Sequence, residues 1–436
     1  MSSPLEALRQ VVPAAVMEVC RRLSEHGYEA WAVGGAVRDA LLGRQIGDWD
    51  VATSAEPTEV EKLFRRTIPT GIEHGTVTVV VGRGEERHPI EVTAFRGEGA
   101  YSDARRPDEV HFGVPLDEDL ARRDLVINAI AYDPVAGRLH DPFDGQGDLA
   151  ARRIRAVGVA EERFLEDGLR VMRTVRFAAQ LEFELEAETE AAIPAALPSL
   201  ARVAVERVRE ELHKLLASRR PSLGLVIAQR TGIFGVVLPE VHAAAGDAAA
   251  AERFARACAR VDAAAAAGRP IAVREAALLV DAVDRAGAER VMRRLKTSKR
   301  ERADFVRLIE SGSWWRAARP SDAELRRQLA AIGREQAALV LALWRDDGAA
   351  VGRTGDAETL AGRAEGILSA GDALSIGELA VDGQELMTAL GLSPGRLVGD
   401  ILASLLERVL DDPSRNQRDD LLAVARSVAA QSATGE

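Results

Sequence analysis

Residues 31–53, WAVGGAVRDALLGRQIGDWDVAT, decide the fold of the first third of this chain. Residues 28–33 (YEAWAV) have strand character, Gly34 and Gly35 let the backbone approach a ligand closely, and 36–42 can open a helix whose N-terminal amides face a phosphate. Asp48 and Asp50 are two apart in a segment running into Val51 and Ala52. On a strand, both carboxylates would then project from one face. Two carboxylates on one face suit a pair of divalent ions, and such ions activate an attacking hydroxyl and neutralise a leaving pyrophosphate. A glycine turn or an Asp-x-Asp pair is weak evidence alone; their combination in this order predicts nucleotidyl transfer.

Working outward, 436 residues with 47% hydrophobic content give room for two to four domains with substantial cores. No apolar run approaches the roughly 18–20 residues of a membrane span, and MSSPLEALRQVV lacks the basic-then-apolar pattern of a secretory signal. A soluble, cytoplasmic protein is the expectation. Cys20 and Cys258 lie far apart in helix-like segments and read as two buried thiols. His26, His74, His88, His111, His140, His213 and His242 have no zinc-site spacing, so the expected metal is oxygen-ligated. The net charge of −11 opposes a nucleic-acid partner on average, but basic clusters at Arg202–Arg220 and Arg293–Arg302 allow one locally.

Runs at 76–81 (TVTVVV), 89–95 (PIEVTAF) and 125–133 (LVINAIAYD) read as strands. From Ala150 onward, helix-length periodicity takes over, interrupted at Pro194–Pro198, Ser218–Pro221, Gly268–Pro270, Ser311–Pro320 and 347–356. The fold class is therefore α+β: a mixed-sheet head over 1–149 followed by helical segments over 150–215, 216–373 and 374–436. The Ala-rich stretch Ala243–Ala267 keeps a helical stripe through Phe254, Ala257, Cys258 and Val261.

Three further constellations carry charge in a pattern. Glu91 shares a strand face with Thr93 and Phe95. Arg122, Arg123 and Asp124 open LVINAIAYD, where they read either as a helix-start cap or as ligand groups. On a helix, Asp167, Arg170, Arg173 and Arg176 fall within about half the circumference, with Leu169, Met172 and Phe177 opposite. Gly168 inside that pattern would cost up to about 1 kcal/mol relative to alanine.

The string GGAVRDALLGRQIGDWDVAT resembles the first motif of the class II tRNA nucleotidyltransferase and bacterial poly(A) polymerase family of the DNA polymerase beta superfamily. The resemblance extends through Arg122-Arg123-Asp124, Asp141–Asp148 and Glu166-Asp167-Gly-Leu-Arg170, and more softly through Leu379–Leu386 and Asn416–Arg418. It implies a polymerase-beta-like head with a helical neck, body and tail, and transfer from CTP and ATP to the tRNA 3′ end with Mg²⁺. Glu91 then joins Asp48 and Asp50 as the third metal carboxylate, while Gly34, Gly35, Arg38, Arg173 and Arg176 hold the triphosphate. Arg122, Arg123, Asp124 and Asn128 serve the ribose, and Asp167 with Arg170 reads the base edge. An Asp accepts from the exocyclic amine that cytosine and adenine share, and an Arg donates to ring acceptors. The segment between Arg96 and Phe112 corresponds to a loop that CC-only members have shortened; its full length here argues against CC-only addition. At Leu238–His242 and Ala276–Asp281 some relatives carry a histidine–aspartate phosphohydrolase site, but Val280 stands where histidine is needed, so no hydrolase activity is expected. A-only addition, poly(A) synthesis and a catalytically silent RNA-binding role remain open alternatives.

Overall fold

In the computed structural model, residues 4–72, 75–82, 87–98, 110–242, 247–317 and 319–433 are described, and the chain divides into two units at 1–239 and 240–436. The first unit is organised by strands β1 (Ala30–Val33), β2 (Asp50–Thr53), β3 (Thr67–Gly71), β4 (Thr76–Val81) and β5 (His88–Ala94). β6 (Arg96–Glu98) and β7 (Val110–Phe112) pair apart, and β8 (Ala131–Asp133) and β9 (Arg138–His140) complete a seven-stranded sheet of order β3-β4-β5-β2-β1-β8-β9.

The register of this sheet builds the site. β1 runs antiparallel to β2 with Val33 opposite Asp50, and β2 runs parallel to β5 with Asp50 opposite Glu91. Opposed residues share a face, so the two carboxylates stand side by side. Farther along the same face, Trp31 and Ala52 join Phe95, Leu116, Leu120 and Val126 in an apolar cluster. The helix Ala14–Glu25 buries Val16, Val19, Cys20 and Leu23 and packs across β1, β2, β4 and β5.

The expected strand over 125–133 is a strand only at Ala131–Asp133; Val126–Asn128 forms a 3₁₀ turn. Asp124 explains the difference, because its carboxylate accepts from Leu125 N at 2.9 Å and Asn128 Nδ2 at 3.0 Å and so curls the backbone locally. Arg122–Asp124 is also not a helix start. Arg122 caps the C-terminus of the Leu116–Ala121 helix, and the triplet is the turn between that helix and the 3₁₀ segment.

A second correction concerns 166–176. Glu166 ends the helix Ala160–Glu166, Asp167 is extended (φ −135°, ψ 104°), and Gly168 is the N-cap of the helix Leu169–Leu181. Asp167 thus lies off the helix that carries Arg170, Arg173 and Arg176. Gly168 is present because of space rather than conformation: at φ −56°, ψ −21°, an added Cβ would meet Ser199 C and Leu200 N, both at 2.5 Å.

The second unit is helical throughout, from Ala248–Ala266 to Arg418–Ala433. The expected helix at 243–267 is seen as Ala248–Ala266, its first residues lying outside the described ones. Arg260, fully buried, donates to Asp347 Oδ1 at 2.7 Å and to Asp281 Oδ2 at 2.5 Å, and Arg316 joins both acids. Beyond Ala373, a separate apolar cluster gathers Val381, Leu386, Ile401, Leu405 and Leu421. Cys20 and Cys258 are buried free thiols, each pushed up to about 12 by burial. Among the described residues no helix is long and apolar enough to cross a membrane.

Candidate active site

Gly34 ends β1 at φ +76°, a conformation that glycine adopts without penalty. The missing side chain matters equally. A Cβ there would stand 3.2 Å from Arg123 Nη1 and 4.0 Å from Asp50 Oδ2, so glycine lets a guanidinium and a carboxylate close on the backbone. Burial pushes Asp50 up to about 6, with Glu91 and then Asp48 adding repulsion and Arg123 opposing them. Asp48 is exposed in the irregular segment before β2, so it does not share the strand with Asp50 as the sequence pattern suggests, and Glu91 is exposed on β5. Among the described residues no three His, Cys, Asp or Glu side chains converge into a metal-holding set, so this cluster is open rather than caged. Its chemistry fits a hard divalent cation: oxygen donors only, with a crowded carboxylate that is hard to ionise until positive charge arrives.

Arg38, on the helix Gly35–Leu41, begins a chain of polar contacts through the unit. Its Nε and Nη2 donate to Asp39 at 2.9 Å each, and its Nη1 donates to Asn128 Oδ1 at 2.6 Å. Asn128 in turn donates to Asp124, whose Oδ2 accepts from Arg173 Nε at 2.7 Å. Burial alone would raise the Asp124 carboxyl, but Arg173 and the Asn128 hydrogen bond hold it well below the usual carboxylate range. Asp124 therefore stays ionised and fixes both neighbours.

Three predicted arginines converge on one ring. The guanidinium carbons of Arg176, Arg38 and Arg173 lie 3.9, 4.8 and 5.6 Å from the centroid of Phe177. Phe177 is thus a platform for the cationic residues, not part of an opposite face. Arg176 also meets Glu211 at 2.6 Å; burial pushes it down to about 10, with Glu211 working against the fall.

Arg122 and Arg123 both bind Asp119, which is 1% exposed, at 2.8 and 3.2 Å. Arg123 Nε is buried with no hydrogen-bond partner among the described residues. Asp167 and Arg170 are adjacent in chain but differently engaged. Asp167 accepts from Leu169 N at 2.9 Å and from Arg207 Nη2 at 3.0 Å. Arg170 donates to Glu166 Oε2 at 2.6 Å and to the Arg122 carbonyl at 2.9 Å, which ties it to the Arg122–Asp124 turn.

Sequence reading missed Asp119, Arg207 and Glu211 as members of this network. Arg207 and Glu211 lie four apart on the helix Val205–Leu216, within the basic stretch at 202–220, so spacing carried that signal. The segment between Arg96 and Phe112 lies outside the described residues over 99–109.

Comparison with known proteins places these residues in a family. The model of the poly A polymerase head domain matches residues 30–155, that of the probable RNA and SrmB-binding site of polymerase A matches 182–245, and that of tRNA nucleotidyltransferase domain 2 matches 275–425. The CCA-adding enzyme of Lactiplantibacillus plantarum is 38% identical over 422 residues, covering 95% of this chain and 96% of that enzyme. The chain belongs to the CCA-adding enzyme family. A crystal structure of the Bacillus stearothermophilus CCA-adding enzyme in complex with CTP matches with a TM-score of 0.75 and 32% identity, covering 100% of both chains. The CCA-adding enzyme of Lactococcus lactis subsp. lactis is 48% identical over 216 residues, 50% of this chain, and that match spans about half of the relative, 54% of its length. CCA-adding enzymes are nucleotidyltransferases that generally depend on a metal ion.

Proposed function

We propose that this chain adds the 3′-terminal CCA to tRNA from CTP and ATP, releasing pyrophosphate, with side chains in place of a nucleic-acid template. The observation that supports this most directly is the gathering of Arg38, Arg173 and Arg176 about Phe177, linked through Asn128 and Asp124 to the turn beside Gly34 and Asp50. Fixed cationic groups next to a carboxylate cluster suit a triphosphate and its counter-ion.

Asp48, Asp50 and Glu91 would hold Mg²⁺, which would lower the pKa of the tRNA 3′-hydroxyl and neutralise charge on the triphosphate. Gly34 and Gly35 leave the backbone open to phosphate, and Arg38, Arg173 and Arg176 orient it. Arg123, with its buried Nε unpaired among the described residues, faces the Gly34 turn, and Asp124 acts as a positioning residue that fixes Arg173 and Asn128. Arg122 is held by Asp119 on the ribose side of the pocket. Asp167 and Arg170 read the base edge: an acceptor and a donor suit cytosine and adenine, whereas uracil and guanine offer the wrong order.

The test uses purified protein and Mg²⁺ with three labelled tRNA transcripts ending before CCA, after C and after CC. Extension of all three to full CCA with CTP and ATP is expected, and chelation should abolish it. Activity confined to the CC-ending transcript with ATP would make this an A-adding enzyme. Long adenosine tails on unrelated RNA would move it to poly(A) synthesis, and no incorporation would overturn the reading.

A further inference from the structure

Bordering Arg38, the first unit contains a cavity of about 700 Å³ whose lining includes Arg38, Arg44, Arg152, Gln180, Glu182 and Arg219. Its charges are not balanced. Arg38 is matched by Asp39 at 2.9 Å, and Arg219 by Glu182 at 2.9 Å. Arg44 and Arg152 have only carbonyl partners among the described residues: Arg44 Nη2 donates to Gln180 O at 3.0 Å, and Arg152 Nη2 to Glu182 O at 3.2 Å. Each guanidinium has five N–H donors, so a single carbonyl leaves most of them unused.

Two of the lining residues stand at backbone positions that residues with side chains rarely adopt. Arg152 caps the helix Gly145–Ala151 at φ +54°, and Glu182 caps the helix Leu169–Leu181 at φ +57°. Both are left-handed cap positions where glycine is the least strained residue. Here both carry charged side chains lining the same cavity, and Arg152 is tied to the chain around Glu182: its Nη2 donates to Glu182 O, its carbonyl accepts from Glu184 N at 2.9 Å, and its guanidinium lies over the Phe183 ring at 5.5 Å. Arg44 is fixed independently, from the loop after the Gly35–Leu41 helix.

We propose that this cavity binds the phosphodiester backbone of the RNA primer, with Arg44 and Arg152 each engaging a phosphate. Guanidinium groups anchored on one edge and free on the other match phosphate oxygens in a bidentate fork. The assignment rests on the proposed tRNA substrate only for the identity of the RNA. The cavity borders Arg38 and Asp39, so a strand lying in it passes beside an arginine of the proposed triphosphate site.

The experiment measures binding of labelled tRNA lacking CCA, without nucleotide, over a range of salt, together with KM for tRNA and for CTP. The variants are Arg44→Ala, Arg152→Gly, which suits the left-handed cap, their double, and Arg152→Lys. Thermal melting checks that each is folded. Each arginine removed should weaken tRNA binding roughly tenfold. It should also reduce the salt slope by about 0.7–0.9. KM for CTP should hold steady, and Arg152→Lys should recover part of the loss. A folded double variant with wild-type tRNA affinity and salt slope would overturn the proposal, as would a parallel rise in KM for CTP. So would a change confined to binding of inorganic pyrophosphate, which would mark a small-anion site. Wild-type protein that bound tRNA and extended nothing would refute the activity reading and leave this binding comparison intact.

Discussion

Replacing Gly168 by alanine should destabilise the first unit by about 1–3 kcal/mol, even though alanine is the better helix former. At Gly168 φ is −56° and ψ −21°, which alanine accepts, so backbone strain makes no contribution. The cost comes from space. The new Cβ would lie 2.5 Å from Ser199 C and Leu200 N and 2.7 Å from Ser199 O, about 1 Å inside ordinary non-bonded contact. These are backbone atoms at the end of the helix Ile193–Leu200, which no rotamer change can withdraw. The helices must therefore part, shifting Asp167 and Arg170 relative to one another. A control separates crowding from propensity. Gly366, exposed inside the helix Thr354–Ala370, has nothing within 4 Å of its built Cβ, so Gly366→Ala should stabilise the second unit by about 0.5–1 kcal/mol. Urea unfolding, followed by hydrogen exchange to separate the two units, would measure both. Wild-type stability in Gly168→Ala, with KM for CTP and ATP unchanged, would refute the crowding argument.

Asp50→Asn should reduce nucleotide incorporation by roughly 10³-fold or more. It should also change how the metal-free protein responds to pH. The folded-state value of Asp50 is raised to about 6 from 3.8, so wild-type stability should fall as pH rises from about 4 to about 6 and then level off. The asparagine variant should lack that decline, whose upper bound is roughly 3 kcal/mol, as urea titrations in chelator at pH 4.5 and 7.5 would show. Asp124→Asn has the opposite sense: its carboxyl is depressed in the folded state, so its contribution is present above about pH 4 and lost below. The substitution removes the charge opposite the one-third-exposed Arg173 and should cost about 1–3 kcal/mol at pH 7, read from unfolding midpoints. Arg176→Gln should weaken CTP, ATP, GTP and UTP by similar factors in equilibrium binding. Asp167→Ala should instead erase about tenfold or more of the preference for CTP and ATP. An Arg176 variant that altered base preference would contradict this separation of phosphate and base contacts.

The parts of the site that were legible in sequence are those set by local geometry. The strand–glycine–helix order at 30–41 and the strands at 76–81 and 88–94 follow from short-range period and turn chemistry, and the structure has them nearly where spacing puts them. The neighbouring of Asp50 and Glu91 was suggested only through the family resemblance, because it depends on a parallel pairing that no local pattern encodes. Side-chain competition with the backbone was illegible: Asp124 converts an apolar, β-rich run into a 3₁₀ turn by accepting two local donors. At Gly168, an unbroken helical period hid a junction, since helices end at Glu166 and begin at Leu169 and only the extended backbone of Asp167 reveals the break. Short edge strands such as Arg138–His140 gave too little pattern to be read.

A net charge of −11 opposes a polyanionic substrate on average, yet the acids packed against the arginines of this site do not face it as free charge. Asp119, Asp124 and Glu211 are 1%, 8% and 4% exposed, and each is in an ion pair with an arginine of the pocket. These carboxylates hold one edge of a guanidinium and fix its orientation, so the remaining edge can meet phosphate without first losing side-chain freedom. The pairing also explains why the arginines can be buried at all, since an unpaired guanidinium would not tolerate that loss of water. The field that a triphosphate would meet at the proposed site is therefore set by which edges stay open, not by the sum of charges over the chain. At Arg44 and Arg152, carbonyls replace carboxylates as the anchor, and the positive charge is left uncancelled where the cavity opens. The same chain thus combines an acidic average with locally open guanidinium edges, because Asp119, Asp124 and Glu211 are engaged in holding arginines in place.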